Sequence, residues 1–314
     1  MINNPLVIWR FVDGKPGHEK QTQALIEGIE HHATVQVHSI AIGNLQHIKR
    51  ALIFGSWSEL SSLPTPDLIL GAGHKTHWPV LAAKRVFGGK TVILMNPSLP
   101  TSWFDAVITP AHDGYRQTDR RLVSTTALAP GIKSQADHLR GLILMGGISK
   151  HFIWNDDYVC QRIIDIADHT PEIHWALSNS RRTPKTTSQK LKALCDDKNN
   201  LTFYEVTELD ASWLPQQLGQ AGTVWISSDS ASMVAEALNS AAKVGVIKLP
   251  TASKKNNNKL LLSVDNLIKH GDIGYLTDKD FLPPPSRSGP ANYHIEVAQQ
   301  LLDCLAIKTT PKAS

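Results

Sequence analysis

The sequence predicts an α/β protein with two domains, each a mostly parallel sheet covered by helices. The chain has 314 residues, which is about the length of two average domains. Short apolar runs alternate with longer helical segments along most of it, as is typical of βαβ crossovers. Both halves show this alternation without a close sequence repeat. We therefore predict two Rossmann-like domains whose parallel sheets face each other across a cleft.

The first half contains short apolar segments that we predict as strands, followed by segments with helical spacing. Helical spacing begins at Glu19, where Ala24, Leu25 and Ile29 fall on one face. Further helices are predicted at His47–Phe54 and Pro79–Phe87. The predicted strands are Leu6–Phe11, Thr34–Ile42, Asp67–Leu70, Thr91–Met95 and Ala106–Thr109.

The second half repeats the alternation from near Leu139 onwards. The predicted strands are Leu142–Met145, Ile173–Leu177, Leu201–Val206, Thr223–Ile226 and Gly245–Leu249. The predicted helices are Asp157–Asp168, Thr187–Cys195, Ala231–Ala241 and Asn258–Lys269.

Breaks in these patterns suggest the domain limits. The stretch Asp119–Asp137 shows no strong periodicity and is the predicted inter-domain connection. A proline-rich break, Pro283–Pro290, precedes a helical pattern at Tyr293–Leu305. We predict domains at 1–136 and 137–290, with a C-terminal helix and tail at 291–314 that packs back on the first domain.

The composition and net charge indicate which kinds of partner the protein could bind. Hydrophobic residues make up 41% and charged residues 19%, which is ordinary for a globular protein. Lys and Arg number 32 against 28 Asp and Glu. This small excess suits anionic phosphates or anionic lipid but is too weak to indicate nucleic acid.

Cysteine usage and the N-terminus indicate a compartment. Cys160, Cys195 and Cys304 are widely spaced, so neither a disulfide framework nor a zinc site is indicated. We read no signal peptide, and no apolar run approaches the roughly 20 residues that span a bilayer. We expect a cytoplasmic protein, with membrane contact limited to a peripheral one at the inner face. No amphipathic helix or polybasic run supports such recruitment.

The segment Thr223–Pro250 is the most informative. An apolar strand leads into four polar residues, and a helix starts there. Such a helix start can bind an anion through free N–H groups. Ser232 and Glu236 are four residues apart and share a helix face, where a carboxylate could accept hydrogen bonds from a ribose. The alternative is that Asp229 or Ser230 is an N-cap and Glu236 a solvated residue.

A resemblance to a known family rests on this segment and five others. SDSASMVAEALNSAAKVGVIKLP resembles the donor-site signature of GT-B glycosyltransferases. The whole chain resembles bacterial relatives of the plant elongated-mitochondria (mitochondrial fission) proteins, a family of GT-B-like glycosyltransferases. The other segments are DGKPGHEKQTQAL at 13–25, LILGAGHKTHWPVLAAKR at 68–85, MNPSLP at 95–100, GGISKHFIW at 146–154 and SNSRRTP at 178–184.

The resemblance implies a nucleotide-sugar donor site in the second domain. Glu236 would hold the ribose. Gly146, Gly147 and Ser149 would form a loop that lets a diphosphate approach the backbone closely, since glycine has no Cβ. The alternative for the two glycines is an ordinary turn at a strand end. The polar turn and the start of its helix would complete the donor site through Ser228, Asp229, Ser230, Ser232 and Met233.

Two adjacent arginines follow the strand Ile173–Leu177. A guanidinium offers a bidentate fork to phosphate oxygens, and the resemblance implies a basic residue here that stabilises the leaving nucleoside diphosphate. We expect either Arg181 or Arg182 to do so. The alternative is that both are solvated surface residues.

The resemblance places acceptor contacts in the first domain. Asp13 and His18 are the candidate general bases, because the base must reach the acceptor hydroxyl and titrate near working pH. The alternative is that they only order the turn. His74 and His77 could suggest a metal pair, but no third ligand is positioned, so no metal is expected. The acceptor-side residues are Gly14, Gly17, His74 and Asn96.

The predicted function is metal-independent transfer of a sugar from a nucleotide-diphosphate donor to a hydroxyl acceptor. A role in cell-surface glycan synthesis with a lipid-linked acceptor is an analogy only. No cofactor is expected, because the nucleotide sugar is the substrate. Two alternatives stay open: a non-catalytic adaptor or scaffold, as the plant relatives suggest, and a nucleotide-sugar epimerase.

Overall fold

The computed structural model of the chain describes residues 4–252 and 259–307. The chain divides into two units, Met1–Pro130 with Asn292–Ser314, and Gly131–Ala291. Each unit contains one sheet, with six strands in the first and seven in the second. The predicted class of two Rossmann-like α/β domains is confirmed.

The sheet of the first unit is entirely parallel. Its order is β2-β1-β3-β4-β5-β6. The chain passes from β1 to β2 on one side and then returns to β3 on the other side of β1. Loops diverge at such a reversal and leave a crevice at the carboxyl ends of the strands. The strands are β1 Leu6–Val12, β2 Val35–Ala41, β3 Leu68–Ala72, β4 Lys90–Leu94, β5 Ala106–Pro110 and β6 Arg121–Ser124.

Helices cover both faces of this sheet. On one face, α1 (Pro16–His32) packs against α9 (Tyr293–Cys304). The fit is close, since a Cβ at Gly28 would lie 2.2 Å from the carbonyl oxygen of His294. The predicted return of the last helix to the first domain is therefore confirmed. On the other face, α2 (Ile48–Phe54) packs against α3 (His77–Phe87) over a separate apolar cluster.

The sheet of the second unit is parallel except for its last strand pair. Its order is β13-β12-β11-β10-β7-β8-β9, and β12 and β13 pair antiparallel. Winding reverses between β7 and β10, where the chain returns to the other side of its first strand. The strands are β7 Asp137–Leu144, β8 His174–Ser178, β9 Leu201–Tyr204, β10 Ala221–Ser227, β11 Lys243–Ile247, β12 Gly274–Leu276 and β13 Phe281–Leu282.

Two tryptophans and two glycines shape the core of the second unit. A Cβ at Gly141 would lie 2.1 Å from the ring of Trp175, and one at Gly245 would lie 2.5 Å from the ring of Trp225. Glycine therefore lets each indole lie flat on the neighbouring strand. The helices are α4 Asp156–His169, α5 Lys185–Asp197, α6 Trp213–Gln220, α7 Ala231–Leu238 and α8 Lys259–Lys269.

Some sequence predictions were wrong in detail. The stretch predicted as a connection contains β6 and begins β7. The boundary between the two units follows Pro130, within this stretch, and α9 belongs to the first unit. The sequence analysis also missed α6, β12 and β13. The predicted start of α8 at Asn258 lies outside the described residues.

Helix α7 ends at Leu238 instead of the predicted Ala241. The side chain of Ser240 donates to the carbonyl oxygen of Ala237 at 2.7 Å, and its amide donates to the same oxygen at 3.0 Å. A serine hydroxyl that bonds to a local carbonyl competes with helical hydrogen bonding. The helix therefore ends one turn early.

Candidate functional site

In the second unit, the loops after β7 and β10 are tied together where the winding reverses. The amide of Gly146 donates to Ser227 Oγ at 2.7 Å, and the amide of Gly147 donates to Asp229 Oδ2 at 3.0 Å. Ser227 Oγ in turn donates to Asp229 Oδ1 at 2.7 Å. One buried carboxylate thus fixes both loops at the place where parallel α/β sheets bind ligands.

The loop after β8 joins the same network. Arg182 Nη2 lies 2.8 Å from Asp229 Oδ2. Ser180 Oγ donates to the carbonyl oxygen of Gly146 at 2.7 Å, and Thr183 Oγ1 donates to the same oxygen. The carboxyl ends of three neighbouring strands therefore carry one hydrogen-bonded frame.

Gly146 and Gly147 are enclosed by this frame. A Cβ at Gly146 would lie 2.2 Å from Asp229 Oδ2, and a Cβ at Gly147 would lie 2.1 Å from the carbonyl carbon of Arg182. The sequence analysis expected a diphosphate to lie next to these two glycines. In the structure, protein atoms of Asp229 and Arg182 occupy that space. The need for glycine is explained by the packing of the loops.

Ser228 and Asp229 lie inside the protein. Ser228 Oγ accepts a hydrogen bond from the amide of Leu249 at 3.0 Å, and its exposed fraction is 1%. The Asp229 side chain is 0% exposed and is used by three protein donors. These contacts give both residues a part in supporting the loops, and their predicted contact with the donor stays a prediction.

The start of α7 is less enclosed than this frame. Ser230 is the N-cap residue, but its side chain makes no capping hydrogen bond. The first amides of a helix have no partner within the helix, and within residues 4–252 and 259–307 the amides of Ala231, Ser232 and Met233 donate to no group outside α7. Ser232 is exposed, and Met233 and Glu236 are half-buried. Free amides at a helix start favour an anion.

Two other predicted residues border the frame. Ser149 is half-buried, and its Oγ accepts a hydrogen bond from the amide of His151 at 3.3 Å. Arg181 is exposed, and the described part of the chain offers it no hydrogen bond or ion pair. The two adjacent arginines are therefore in different environments, since Arg182 is held by Asp229.

In the first unit, Asp13 and His18 lie where the winding reverses between β1 and β3. His18 Nδ1 is 3.0 Å from Asp13 Oδ2, with the carboxylate 1% and the imidazole 16% exposed. A Cβ at Gly73, in the loop after β3, would lie 2.3 Å from His18 Cε1. The carboxylate and this loop together orient the ring. No hydrogen bond to His18 Nε2 occurs among the described residues.

The glycines near this pair differ in environment. Gly14 has φ +77° and its amide donates to Glu19 Oε1 at 3.1 Å, so the turn needs a residue that tolerates positive φ. A Cβ at Gly17 would meet no atom within 4 Å. Gly17 is therefore in open space at the start of α1.

The two histidines after β3, His74 and His77, differ in how far they are exposed. His74 is exposed, whereas His77 is 1% exposed and its Nδ1 lies 3.3 Å from Ser98 Oγ. Burial, reinforced by the charge of His74, lowers the pKa of His77. No group of three or more His, Cys, Asp or Glu residues that could hold a metal ion occurs in the described ranges.

Asn96 is exposed and belongs to a cluster that the sequence analysis missed. Its Oδ1 accepts a hydrogen bond from Arg121 Nη1 at 3.1 Å. Arg121 also donates to Thr101 Oγ1 at 3.0 Å and lies 4.2 Å from the centre of the Tyr115 ring. Met95, just before Asn96, has φ +72°, an uncommon conformation for a residue with a side chain.

Other supporting residues were also missed. Asn179 Nδ2 donates to Ser188 Oγ at 2.8 Å and to Glu205 Oε1 at 2.7 Å, and this fixes the start of the β8 loop. The polar run Ser178-Asn179-Ser180 after an apolar strand was a usable signal. The contact of Gly73 with His18 had no sequence signal, because their proximity arises from the sheet order.

Comparison with protein families gives an extensive match. The model of the family described as "Mitochondrial fission ELM1" matches residues 16–305. An uncharacterized protein of Rickettsia prowazekii is 22% identical, and the match covers 83% of this chain and 88% of that protein.

Solved structures share the fold at low identity. UDP-GlcNAc 2-epimerase from Neisseria meningitidis, bound to UDP-GlcNAc, has a TM-score of 0.55 at 11% identity, covering 96% of this chain and 100% of that one. The S. aureus MnaA–UDP structure has a TM-score of 0.50 at 11% identity, covering 98% and 92%. The predicted GT-B type of fold is confirmed. Among the described residues, no helix is long and apolar enough to cross a membrane.

Proposed function

Since this chain belongs to the mitochondrial fission ELM1 family, we propose that it transfers a sugar from a nucleotide-diphosphate donor to a hydroxyl acceptor. One observation carries the proposal. Where the winding of the second sheet reverses, a rigid frame of loops adjoins a helix start whose first amides lack partners within the described part of the chain. Such a place suits the phosphates of a nucleotide.

Different residues support the donor site and contact the donor in this proposal. Arg182 and Asp229 hold the loops in position. Arg181, which is exposed beside this ion pair, binds the diphosphate and stabilises the charge that develops on it as the sugar leaves. The amides at the start of α7 bind the same phosphates. Glu236, one turn further along the helix, accepts hydrogen bonds from the ribose hydroxyls.

The acceptor role is assigned to the loops of the first unit. His18 removes the proton from the acceptor hydroxyl through Nε2, and Asp13 orients the imidazole through Nδ1. The acceptor oxygen then forms a bond to the anomeric carbon of the sugar, and the bond to the nucleoside diphosphate breaks. His74 and Asn96, both exposed at the ends of strands, are proposed acceptor contacts together with the Gly14–Gly17 turn.

A second candidate is epimerisation of a nucleotide sugar. This candidate is favoured because the solved structures with a similar fold include a UDP-GlcNAc 2-epimerase bound to UDP-GlcNAc. Transfer and epimerisation share a donor site and differ in whether an acceptor is consumed. Incubation of the protein with a nucleotide sugar and no acceptor distinguishes them, because an epimerase would form an isomer of the sugar.

Nucleotide binding is the first test. We expect one of UDP, GDP or CMP to raise the melting temperature of the purified chain, because a ligand at 100 times its Kd stabilises a protein by about 2.7 kcal/mol. Glu236→Ala should reduce this shift. Absence of any shift with all nucleotides would contradict the proposal and favour the adaptor alternative.

A further inference from the structure

Large apolar side chains are exposed on the α2–α3 side of the first unit. Among the described residues, Phe54 (73%) and Ile53 (65%) are the two most exposed large apolar side chains of the chain. Trp78 and Trp103 are 47% and 45% exposed. A folded protein seldom exposes such a group of side chains without a use for it.

These side chains belong to neighbouring elements. Helices α2 and α3 pack together, and Arg85 Nη2 donates to the carbonyl oxygen of Ile53 at 3.4 Å. Trp78 and Arg85 are seven residues apart on α3, so they share one helix face. The rings of Trp78 and Trp103 are 6.0 Å apart between centroids. We name Ile53, Phe54, Trp78 and Trp103 the apolar strip.

Cations outnumber acidic residues in the segment that carries the apolar strip. Residues 42–104 contain six Lys and Arg but only two acidic residues, Glu59 and Asp67. Glu59 accepts hydrogen bonds from the amide of Gln46 and from Trp57 Nε1, and Asp67 accepts one from the amide of Val7. The exposed cations of α2, of α3 and of the turn before α3 are Lys49, Arg50, Arg85 and Lys75; Lys90, at the start of β4, is also exposed.

A further cation lies at the other end of the strip. Arg120 is exposed and its Nη1 donates to the carbonyl oxygen of Ser102 at 3.3 Å, beside Trp103. Cations therefore border the apolar strip at α2, at both ends of α3 and next to Trp103.

We propose that the apolar strip and its cations bind the surface of an anionic lipid bilayer. Tryptophan favours the membrane–water interface, and exposed apolar side chains gain free energy when they enter the headgroup region. Lys and Arg are attracted by the negative potential of anionic lipids. This proposal goes beyond the proposed function, since bilayer binding needs neither a nucleotide nor an intact donor site.

The test is sedimentation of the full chain with lipid vesicles, without nucleotide. We expect binding to vesicles of mixed phosphatidylcholine and phosphatidylglycerol, little binding to phosphatidylcholine alone, and weaker binding at high salt because the charges are screened. Lys49→Glu combined with Arg50→Glu should weaken binding about 30-fold or more, since each cation near an anionic surface contributes about 1 kcal/mol.

Matched controls separate the surface from general charge and hydrophobicity. Lys185→Glu combined with Lys192→Glu, both exposed on α5 of the second unit, changes the net charge equally and should leave vesicle binding unchanged. Ile53→Ser combined with Phe54→Ser should weaken vesicle binding at least about tenfold. The corresponding control is Leu139→Ser combined with Ile153→Ser, because those side chains are 45% and 52% exposed in the second unit.

The proposal is overturned by absence of vesicle binding in the wild type, or by equal binding to both vesicle types. Equal loss in the variants and their controls would also overturn it. A third contrary outcome is that Ile53→Ser with Phe54→Ser turns a wild-type oligomer into a monomer while vesicle binding stays the same. The apolar strip would then be a surface for a second copy of the chain.

Discussion

The guanidinium of Arg182 lies 2.8 Å from the carboxylate of Asp229, and this pair joins the loops of two strands that are not neighbours. Arg182 follows β8 and Asp229 follows β10, and β7 lies between them in the sheet. The pair therefore closes a frame over the carboxyl end of β7, where Gly146 and Gly147 are held. Arg182 is held in this ion pair, whereas its neighbour Arg181 is exposed.

Arg182→Ala should destabilise the protein, whereas Arg181→Ala should not. Loss of Arg182 leaves the buried Asp229 carboxylate without its counter-charge. We expect the free energy of unfolding to fall by about 2 kcal/mol, less than for a fully buried pair because the Arg182 side chain is 44% exposed. Arg181→Ala should change it by less than about 0.5 kcal/mol. Urea unfolding measures both, and equal losses would show that the assigned roles are wrong.

Gly147→Ala should be strongly destabilising, whereas Gly17→Ala should be neutral or stabilising. A Cβ at Gly147 would lie 2.1 Å from the backbone of Arg182, which cannot rotate away. We expect a loss of about 3 kcal/mol from overpacking. Gly17 is helical and faces open space, so alanine there should add up to about 1 kcal/mol. Thermal unfolding of the two variants measures this difference in stability. Equal melting temperatures would show that the loops around Gly147 are loosely packed.

Stability should fall as the pH is lowered through the range of histidine titration. Burial and the charge of His74 lower the pKa of His77, and burial and the charge of His31 lower the pKa of His294. The unfolded chain therefore binds protons below about pH 6.5 that the folded chain does not bind. The free energy of unfolding should decline from about pH 6.5 towards pH 5.

Urea unfolding at a series of pH values measures this decline. His77→Gln and His294→Gln should each reduce its slope, because each removes one group that is protonated mainly in the unfolded state. An unchanged slope in the double variant would assign the pH dependence to other groups.

His18→Ala should slow the proposed reaction and leave nucleotide binding intact. A general base contributes about 10²- to 10⁴-fold to a rate, so release of nucleoside diphosphate from the donor should fall by that factor. Asp13→Asn should have a smaller effect, since it keeps a hydrogen-bond acceptor near Nδ1. A normal rate in His18→Ala would support the other interpretation, in which Asp13 and His18 only order the turn.

Much of the fold could be predicted from the sequence because the buried strands are short apolar runs. Leu68–Ala72 is buried throughout and is recognisable by composition alone. The edge strand Arg121–Ser124 was missed, because it has four residues and begins with a buried arginine. The partners of Arg121, Asn96 and Tyr115, are apparent only in the folded chain.

The candidate site could be predicted in position but not in the role of each residue. Polar residues after parallel strands meet at one edge of the sheet, so their residue types sufficed to locate the loops. Which of Arg181 and Arg182 is available depends on a contact with Asp229, 47 residues further along the chain. The apolar strip was missed for the same reason, since Phe54 and Trp78 come from separate helices and form no run in the sequence.

The most direct test of the donor site is the amide NMR spectrum of the chain with the nucleotide that gives the largest melting shift. We predict that the amide resonances of Ala231, Ser232 and Met233 shift on titration, and that Arg181→Ala weakens the apparent affinity about tenfold or more, since hydrogen bonds to charged groups contribute about 1.5–3 kcal/mol. Lys192→Ala should titrate like the wild type. Unchanged resonances at these three amides, with binding detected elsewhere, would contradict the account.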